Sequence, residues 1–567
     1  MSVTTVARTG LLQPAVRSAV LFIAAFSFLF LLMDRLVGVY DEGIILTASM
    51  LVNAGKLIHR DFYANYGPGE FYLLSWLFQL FGQKVMVGRI LDLSVRAGIL
   101  LLVYRAGRPY ARRGVAMLAT AACACWLATV GNAGYPVYPS MLLAIVSTWL
   151  VVRLLSGEPG ISAVKEAVLA GLLAGAVGLF RYDVGMFTFA AHGMTAVLVM
   201  LLNQNHAQSP PRPALLGYVL GFAFPVSVLC LFYVAQGAFS GLVHDVIAFP
   251  ARYYAATRSL PFPSLRGVRW LEKFSLMSIY LPLLIAFAVL VGGLLDPRMF
   301  MPQKLAATED AGRRDVKAVF VIAFTSLSLL FFCKGMVRVS LEHVQLSLIP
   351  AVMALTVYVG FVGKSRQWLR MGIAALLMLT VSAALATAML RAADHHRVLW
   401  AFDWLSGYAH GRPGFVLEKA PADRLAAQAP RPLLLLHPDR DPALDYLARH
   451  AGPQDRIFVG LAHHDKIFIN DVSIYFLAQK LPLTKWHHFD PGLQNSLAVQ
   501  RQIVADFERT RPLYIWLEST WESANEPNQS RHSSGVHLLD RHIAAHYALE
   551  KTFGKVAILR RKPGQDA

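Results

Sequence analysis

Stretches of about 20 apolar residues, the length that crosses a bilayer as a helix, recur along the first two thirds of the chain. They begin near Val16, Val85, Val115, Pro136, Ala163, Met186, Ala214, Leu276, Lys317, His343 and Met371. Backbone N–H and C=O groups find no water in hydrocarbon, so each stretch must satisfy them internally. The sequence therefore predicts a polytopic α-helical membrane protein with about eleven transmembrane helices. Composition agrees, because 56% hydrophobic and 16% charged residues in 567 exclude an ordinary soluble enzyme. The first run, Val16 to Tyr40, is too long for a signal-peptide core and has no small-residue cleavage site, so it reads as a retained anchor.

A net charge of +18 raises the question of nucleic acid. The tail after Ala392 holds 21 Lys+Arg against 19 Asp+Glu, so nearly all the excess lies in the hydrophobic portion. There it falls in short loops: Arg105, Arg108, Arg112 and Arg113; Arg298, Lys304, Arg313, Arg314 and Lys317; Lys364, Arg366 and Arg370. That is a topology signal and a match to lipid phosphates, with these loops and the amino terminus inside, and it argues against nucleic acid as a partner. An odd number of spans delivers the tail to the outer face. Cys123, Cys125, Cys230 and Cys333 sit in apolar runs and read as buried thiols, not as a disulfide framework.

From about Pro432 the apolar runs become too short to span. Helix-like Asp441 to His450, Asn495 to Arg509 and Val536 to Tyr547 alternate with strand-like Arg456 to Gly460, Leu513 to Leu517 and Val556 to Arg560. The expectation is a transmembrane module at 1–391 followed by a soluble, extracytoplasmic α/β domain at 392–567. The pairs His463-His464 and His487-His488 read as solvated surface, since neighbours on a strand point to opposite faces and share a metal poorly. Trp516, Glu518, Trp521, Glu522 and Asn525 are candidates for an acceptor-recognition rim.

Polar groups unusual in so apolar a chain collect on the predicted outer side. Asp41-Glu42 follow the first run directly, and unpaired carboxylates cost several kcal/mol or more in hydrocarbon. Arg181-Tyr182-Asp183 end another run, and Lys334, Arg338, Glu342 and His343 precede a later one. The segment Gly237 to Ser275 carries Arg252, Arg258, Arg266, Arg269 and Lys273 against the charge bias, and an anionic lipid phosphate would explain them. A carboxylate such as Asp41 or Glu42 can take the proton of an acceptor hydroxyl. A lipid phosphate leaves as an anion and needs cations, for which Arg60, Arg181, Lys334 and Arg338 are candidates. Plainer alternatives stand beside these: a helix N-terminal charge pair or an Arg35 partner for Asp41-Glu42, an interhelical salt bridge for Arg181–Asp183, snorkelling anchors for Lys334 and Arg338. Arg89, Asp92 and Arg96 share one face of the second span, where local ion pairing offsets burial.

The order span, Asp41-Glu42, Gly55-x-x-x-x-Arg60-Asp61-Phe62, Gly67-Pro68, Tyr72-Leu73-Leu74 resembles the first outer loop, residues 40–84 here, of the GT-C glycosyltransferases. That class includes protein O-mannosyltransferases and lipid A aminoarabinose transferases, and the layout of many spans and then an extracytoplasmic domain is similar too. The resemblance implies a polyprenyl-phosphate sugar donor, a lipid, glycan or protein acceptor, and Asp41 as the base with Glu42 beside it. Donor contacts are expected from Arg60, Asp61, Tyr66, Arg181, Asp183, Lys334, Arg338 and His343. One departure is plain: many members carry a second acid in the next outer loop, and Gly131 to Pro139 has none, so either Asp183 substitutes or the donor head is held differently. No cofactor is firmly implied, though a divalent cation would be compatible. No GxxxxGK[ST] phosphate loop occurs. The rival readings are a lipid-pyrophosphate oligosaccharide polymerase or ligase, and a lipid-linked sugar flippase. The expected location is the bacterial cytoplasmic membrane.

Overall fold

The computed structural model describes residues 3–131, 133–157, 161–202, 211–295, 309–361, 367–392, 437–522 and 526–563. The expected domain junction at 391/392 falls at the end of the described stretch 367–392, and the loop cations Arg298, Lys304, Lys364 and Arg366, with Asn525, lie outside the described residues. Helix α1 (Val3–Leu32) leads to two shorter helices, α2 (Asp41–Asn53) and α3 (Pro68–Phe81). Then follow α4 (Val85–Gly107), α5 (Arg113–Thr129), α6 (Val137–Leu155), α7 (Ala163–Phe180), α8 (Tyr182–Leu202) and α9 (Arg212–Ala235). Two short helices, α10 (Phe239–Val243) and α11 (Ala255–Arg258), precede α12 (Trp270–Leu295), α13 (Glu309–Gly335), α14 (Leu341–Phe361) and α15 (Gln367–Ala392).

Nine of the described helices, α1, α6 to α9 and α12 to α15, are long and apolar enough to cross a membrane. Apolar side chains such as Leu201, Leu231, Phe287 and Leu294 face outward from them, as in a protein solvated by lipid. This is an integral membrane protein. The eleven expected windows each coincide with a helix, but α4 carries Arg89, Asp92, Arg96 and Arg105, and α5 has 17 residues, so neither counts among the nine. Of the cysteines, Cys123 is buried while Cys125 and Cys230 are half-buried and Cys333 is exposed, so the expectation of four buried thiols holds for one.

Helix α2 is buried from Glu42 to Leu51. Helix α3 starts on Pro68, whose missing N–H costs nothing at the first helical position. It turns Phe71, Leu74 and Phe78 inward and leaves Tyr72, Trp76, Leu80 and Phe81 outward. Glu70 in its first turn is buried, and its Oε2 has no hydrogen-bond partner among the described residues. Burial, with help from Asp92, pushes the Glu70 pKa up to about 8. The fold thus binds a proton that the unfolded chain releases near the ordinary carboxylate range, so this group's contribution is present at low pH and lost as pH rises toward 8. Glu70→Gln is expected to stabilise the fold at pH 7.5 by about 1–3 kcal/mol, seen as a raised thermal midpoint; a lowered midpoint in detergent would contradict this.

The C-terminal part contains α16 (Arg440–His450), β1 (Phe458–Leu461), α17 (Ser473–Leu477), α18 (Leu497–Thr510), β2 (Tyr514–Glu518), α19 (Leu538–His546), β3 (Tyr547–Phe553) and β4 (Val556–Arg561). Its sheet runs β1-β2-β4-β3, with β1 and β2 parallel and the other pairs antiparallel. Val499, Ile503 and Phe507 form one buried stripe of α18. Strand β3 carries no sequence signal, because five of its seven side chains are exposed and no apolar alternation marks it.

This part docks on α2. Val472 N donates to Val39 O (2.8 Å) and Thr47 Oγ1 to Val472 O (2.9 Å). Gly43 allows the contact, since a Cβ there would lie 2.5 Å from Ser473 N. The solvated-surface reading of the histidine pairs is corrected here: His464, His487 and His488 are buried, and His463 alone of the four is exposed. His464 pairs with Asp540 (2.6 Å), while burial pushes His487 down to about 4. The aromatic rings of Phe62, Tyr63 and Tyr475 cover this histidine pair.

Candidate active site

A cavity of about 630 Å³ opens where the start of α2, the loop 63–66, the α7–α8 break, the α13–α14 connection, residues 249–258 and Asp490 meet. Its volume suits a ligand of substrate size. The bend at Gly67 makes the junction: its N–H donates to Phe180 O (3.1 Å), and a Cβ on it would lie 2.3 Å from Leu179 O. Only glycine permits that approach. Tyr66 is thereby laid against Arg181, whose guanidinium stands 4.9 Å from the ring centroid. Arg181 itself is extended (φ −142°, ψ 102°), which interrupts the helical run between α7 and α8 and turns its side chain into the cavity.

Asp41 is half-buried at the first residue of α2, where the helix dipole favours an anion. Its Oδ1 accepts from the Tyr66 hydroxyl at 2.6 Å. Arg181 holds Asp183 through two hydrogen bonds of 3.0 and 2.9 Å. Lys334 lies beside this pair and in the field of Asp41, yet its ammonium makes no hydrogen bond or ion pair among the described residues. Arg258 is similar, with a buried Nε lacking a hydrogen-bond partner among the described residues. Arg338 is engaged by Glu526, whose pKa the Arg338 hydrogen bond draws down to about 2. His343 Nδ1 is 2.8 Å from Ser340 Oγ.

Of the residues expected from the sequence, Asp41, Tyr66, Arg181, Asp183, Lys334, Arg338 and His343 line this one cavity. Glu42, Arg60 and Asp61 do not. Glu42 binds Arg89 through two contacts of 2.7 and 2.9 Å and accepts Gly38 N at 2.6 Å, so the second acid of the pair is a buried structural anion. Successive helix residues are turned about 100° apart, and that rotation separates Glu42 from Asp41. Arg60 and Asp61 pair with each other (3.0 Å) in a separate cleft beside Lys56, Arg456 and Lys485. Arg96 pairs locally with Asp92 (2.8 Å), as expected, whereas Arg89 does not.

Sequence reasoning missed Asn65, Tyr135 and Asp490, which also line the cavity. Asp490 had no signal, for it is one acid in a polar tail. Burial pushes its carboxyl up to about 6, against the pull of Arg258, of the neighbouring Tyr40 hydroxyl and of the hydrogen bond from Asn65, with Asp41 adding to the rise. The tail aromatics form no rim here: Trp516 is buried in the domain and neither it nor Trp521 reaches the cavity. Elsewhere in that domain Asp465, His537 and Asp540 bring three metal-capable atoms within 4.8 Å of one another.

A bundle of apolar helices with an appended α/β domain is a fold that this chain shares with solved membrane proteins. The crystal structure of ArnT from Cupriavidus metallidurans bound to undecaprenyl phosphate is similar with a TM-score of 0.50 and 13% identity, covering 97% of this chain and 98% of that one. The same protein in its apo state gives a TM-score of 0.50, 13% identity and coverage of 96% and 98%. The archaeal oligosaccharyltransferase AglB from Archaeoglobus fulgidus, in complex with an inhibitory peptide and a dolichol-phosphate, gives 0.42, 12% identity and coverage of 97% and 75%. No family model and no curated protein sequence matches the chain.

Proposed function

We propose that the protein is an inverting glycosyltransferase that moves a sugar from a polyprenyl-phosphate donor to an acceptor hydroxyl at the outer face of the bacterial cytoplasmic membrane. The observation that carries this is the meeting, in one cavity, of Asp41 and of cations not spent on internal pairs, Lys334 and Arg258. The fold shared with an undecaprenyl phosphate-bound ArnT supports the same reading. The acceptor oxygen attacks the anomeric carbon while Asp41 takes its proton and Tyr66 holds the carboxylate in place. The bond from that carbon to the phosphate oxygen breaks, and the lipid phosphate leaves as an anion. Lys334, Arg258 and Arg181 stabilise that charge without moving, which is where preorganised cations act most strongly. The C-terminal domain then faces outward and closes the cavity with Asp490.

Mass spectrometry of cell-envelope glycans with and without the protein tests the reaction: loss of one hexose or pentose from a defined glycan is expected. Movement of lipid-linked sugar with no new glycosidic bond would replace this reading by a flippase. For the phosphate site, Lys334→Gln is expected to weaken undecaprenyl phosphate binding about tenfold, or about 1.4 kcal/mol. Unchanged affinity by calorimetry in detergent would remove Lys334 from the phosphate contacts.

A further inference from the structure

Asp490 is a buried acid in the cavity, where Asp41 and Asp183 are half-buried, and it is supplied by the soluble domain rather than by an outer loop. It follows the buried run Trp486 to Phe489, so its position is fixed by the docking of that domain. Asn65 Nδ2 donates to its Oδ2 at 2.9 Å, and the Tyr40 hydroxyl is anchored next to it on Phe489 O at 2.6 Å. Asn65 is held in turn by Tyr182, whose hydroxyl donates to its backbone oxygen at 3.2 Å. The amide Oδ1 of Asn65 is buried with no hydrogen-bond partner among the described residues, and so is Arg258 Nε. An open acceptor, an open donor and a carboxylate beside tyrosine faces suit a compact group that both donates and accepts, because a buried acceptor left unpaired is costly.

We infer that Asp490 and Asn65 seat the transferred sugar, their oxygens accepting hydrogen bonds from two of its hydroxyl groups while the phosphate lies toward Lys334. This rests on the transferase reading above and deepens it. The second acid missing from the loop 131–139 is then provided from another part of the chain, and the site is complete only with the C-terminal domain in place.

The test uses the full-length protein. Cells lacking it are complemented with wild type, Asp490→Asn, Asp490→Glu or Asp41→Asn, and envelope glycans are quantified by mass spectrometry. Each purified variant is titrated with undecaprenyl phosphate, which carries no sugar. Asp490→Asn is expected to lower product at least tenfold with undecaprenyl phosphate affinity within twofold of wild type, and Asp490→Glu to recover part of the loss. Product within twofold of wild type in Asp490→Asn overturns the proposal. So does a parallel fall in undecaprenyl phosphate affinity, which would make the residue a brace for the docked domain. If wild type and the empty strain have identical glycans, the transferase reading fails and takes this proposal with it; if Asp490→Asn alone keeps its product, only the sugar seat fails.

Discussion

Asp41→Asn is expected to lower sugar transfer by at least about 100-fold while leaving undecaprenyl phosphate affinity within twofold of wild type. The substitution is nearly isosteric, and an amide oxygen still accepts the Tyr66 hydroxyl that now lies 2.6 Å from the carboxylate. What it removes is basicity. An acceptor hydroxyl is a poor nucleophile at neutral pH, and general-base assistance contributes about 10²–10⁴-fold to such reactions. The phosphate contacts proposed for Lys334, Arg258 and Arg181 do not involve the Asp41 carboxylate, so the loss is expected to fall on turnover and not on binding. Tyr66→Phe should cost less, because it loosens the carboxylate without neutralising it. The measurement is product formation from lipid-linked sugar in reconstituted protein. Turnover within threefold of wild type would remove Asp41 as the base.

The cavity was legible in the sequence wherever a residue contradicted its surroundings. Asp41 interrupts an apolar chain, Arg181 and Lys334 sit at the ends of apolar runs, and Gly67-Pro68-Gly69 demands a bend that the structure uses to approach Leu179 and Phe180. Such residues are informative because hydrocarbon makes a stray charge or a broken helix costly. In the polar tail the same residue types are ordinary, so Asp490 carried no signal and His464, His487 and His488 passed for surface. Glu42 was misread for a different reason. Adjacency in sequence suggested a shared task with Asp41, but on a helix neighbouring side chains diverge, and Arg89 lies 47 residues away in the chain. Long-range pairing of that kind has no local pattern to betray it. The pairing of Arg338 with Glu526 escaped notice on the same ground, whereas edge strand β3 was missed because its side chains are mostly exposed.

The divergence of the two acids gives the other large expected effect. Glu42→Gln should destabilise the fold by about 3–5 kcal/mol, because it leaves the Arg89 guanidinium buried without its counter-charge. Both partners are nearly inaccessible, with side-chain exposures of 3% for Arg89 and 5% for Glu42. Arg89 also donates to Asp34 O (2.6 Å) and Leu36 O (2.8 Å), so one guanidinium staples the connection between α1 and α2 onto α4. Loss of the pair therefore frees the segment that carries Asp41 into the cavity. Arg89→Met is expected to cost a similar amount, since it strands the carboxylate. The double variant Glu42→Gln/Arg89→Met should be less destabilised than the sum of the single changes, as neither a buried charge nor its partner remains. Detergent-extracted yield and thermal midpoints measure all three. A Glu42→Gln protein of wild-type stability that has nevertheless lost transfer would return Glu42 to the reacting site; one that unfolds early beside a stable, inactive Asp41→Asn assigns the neighbouring acids their separate tasks.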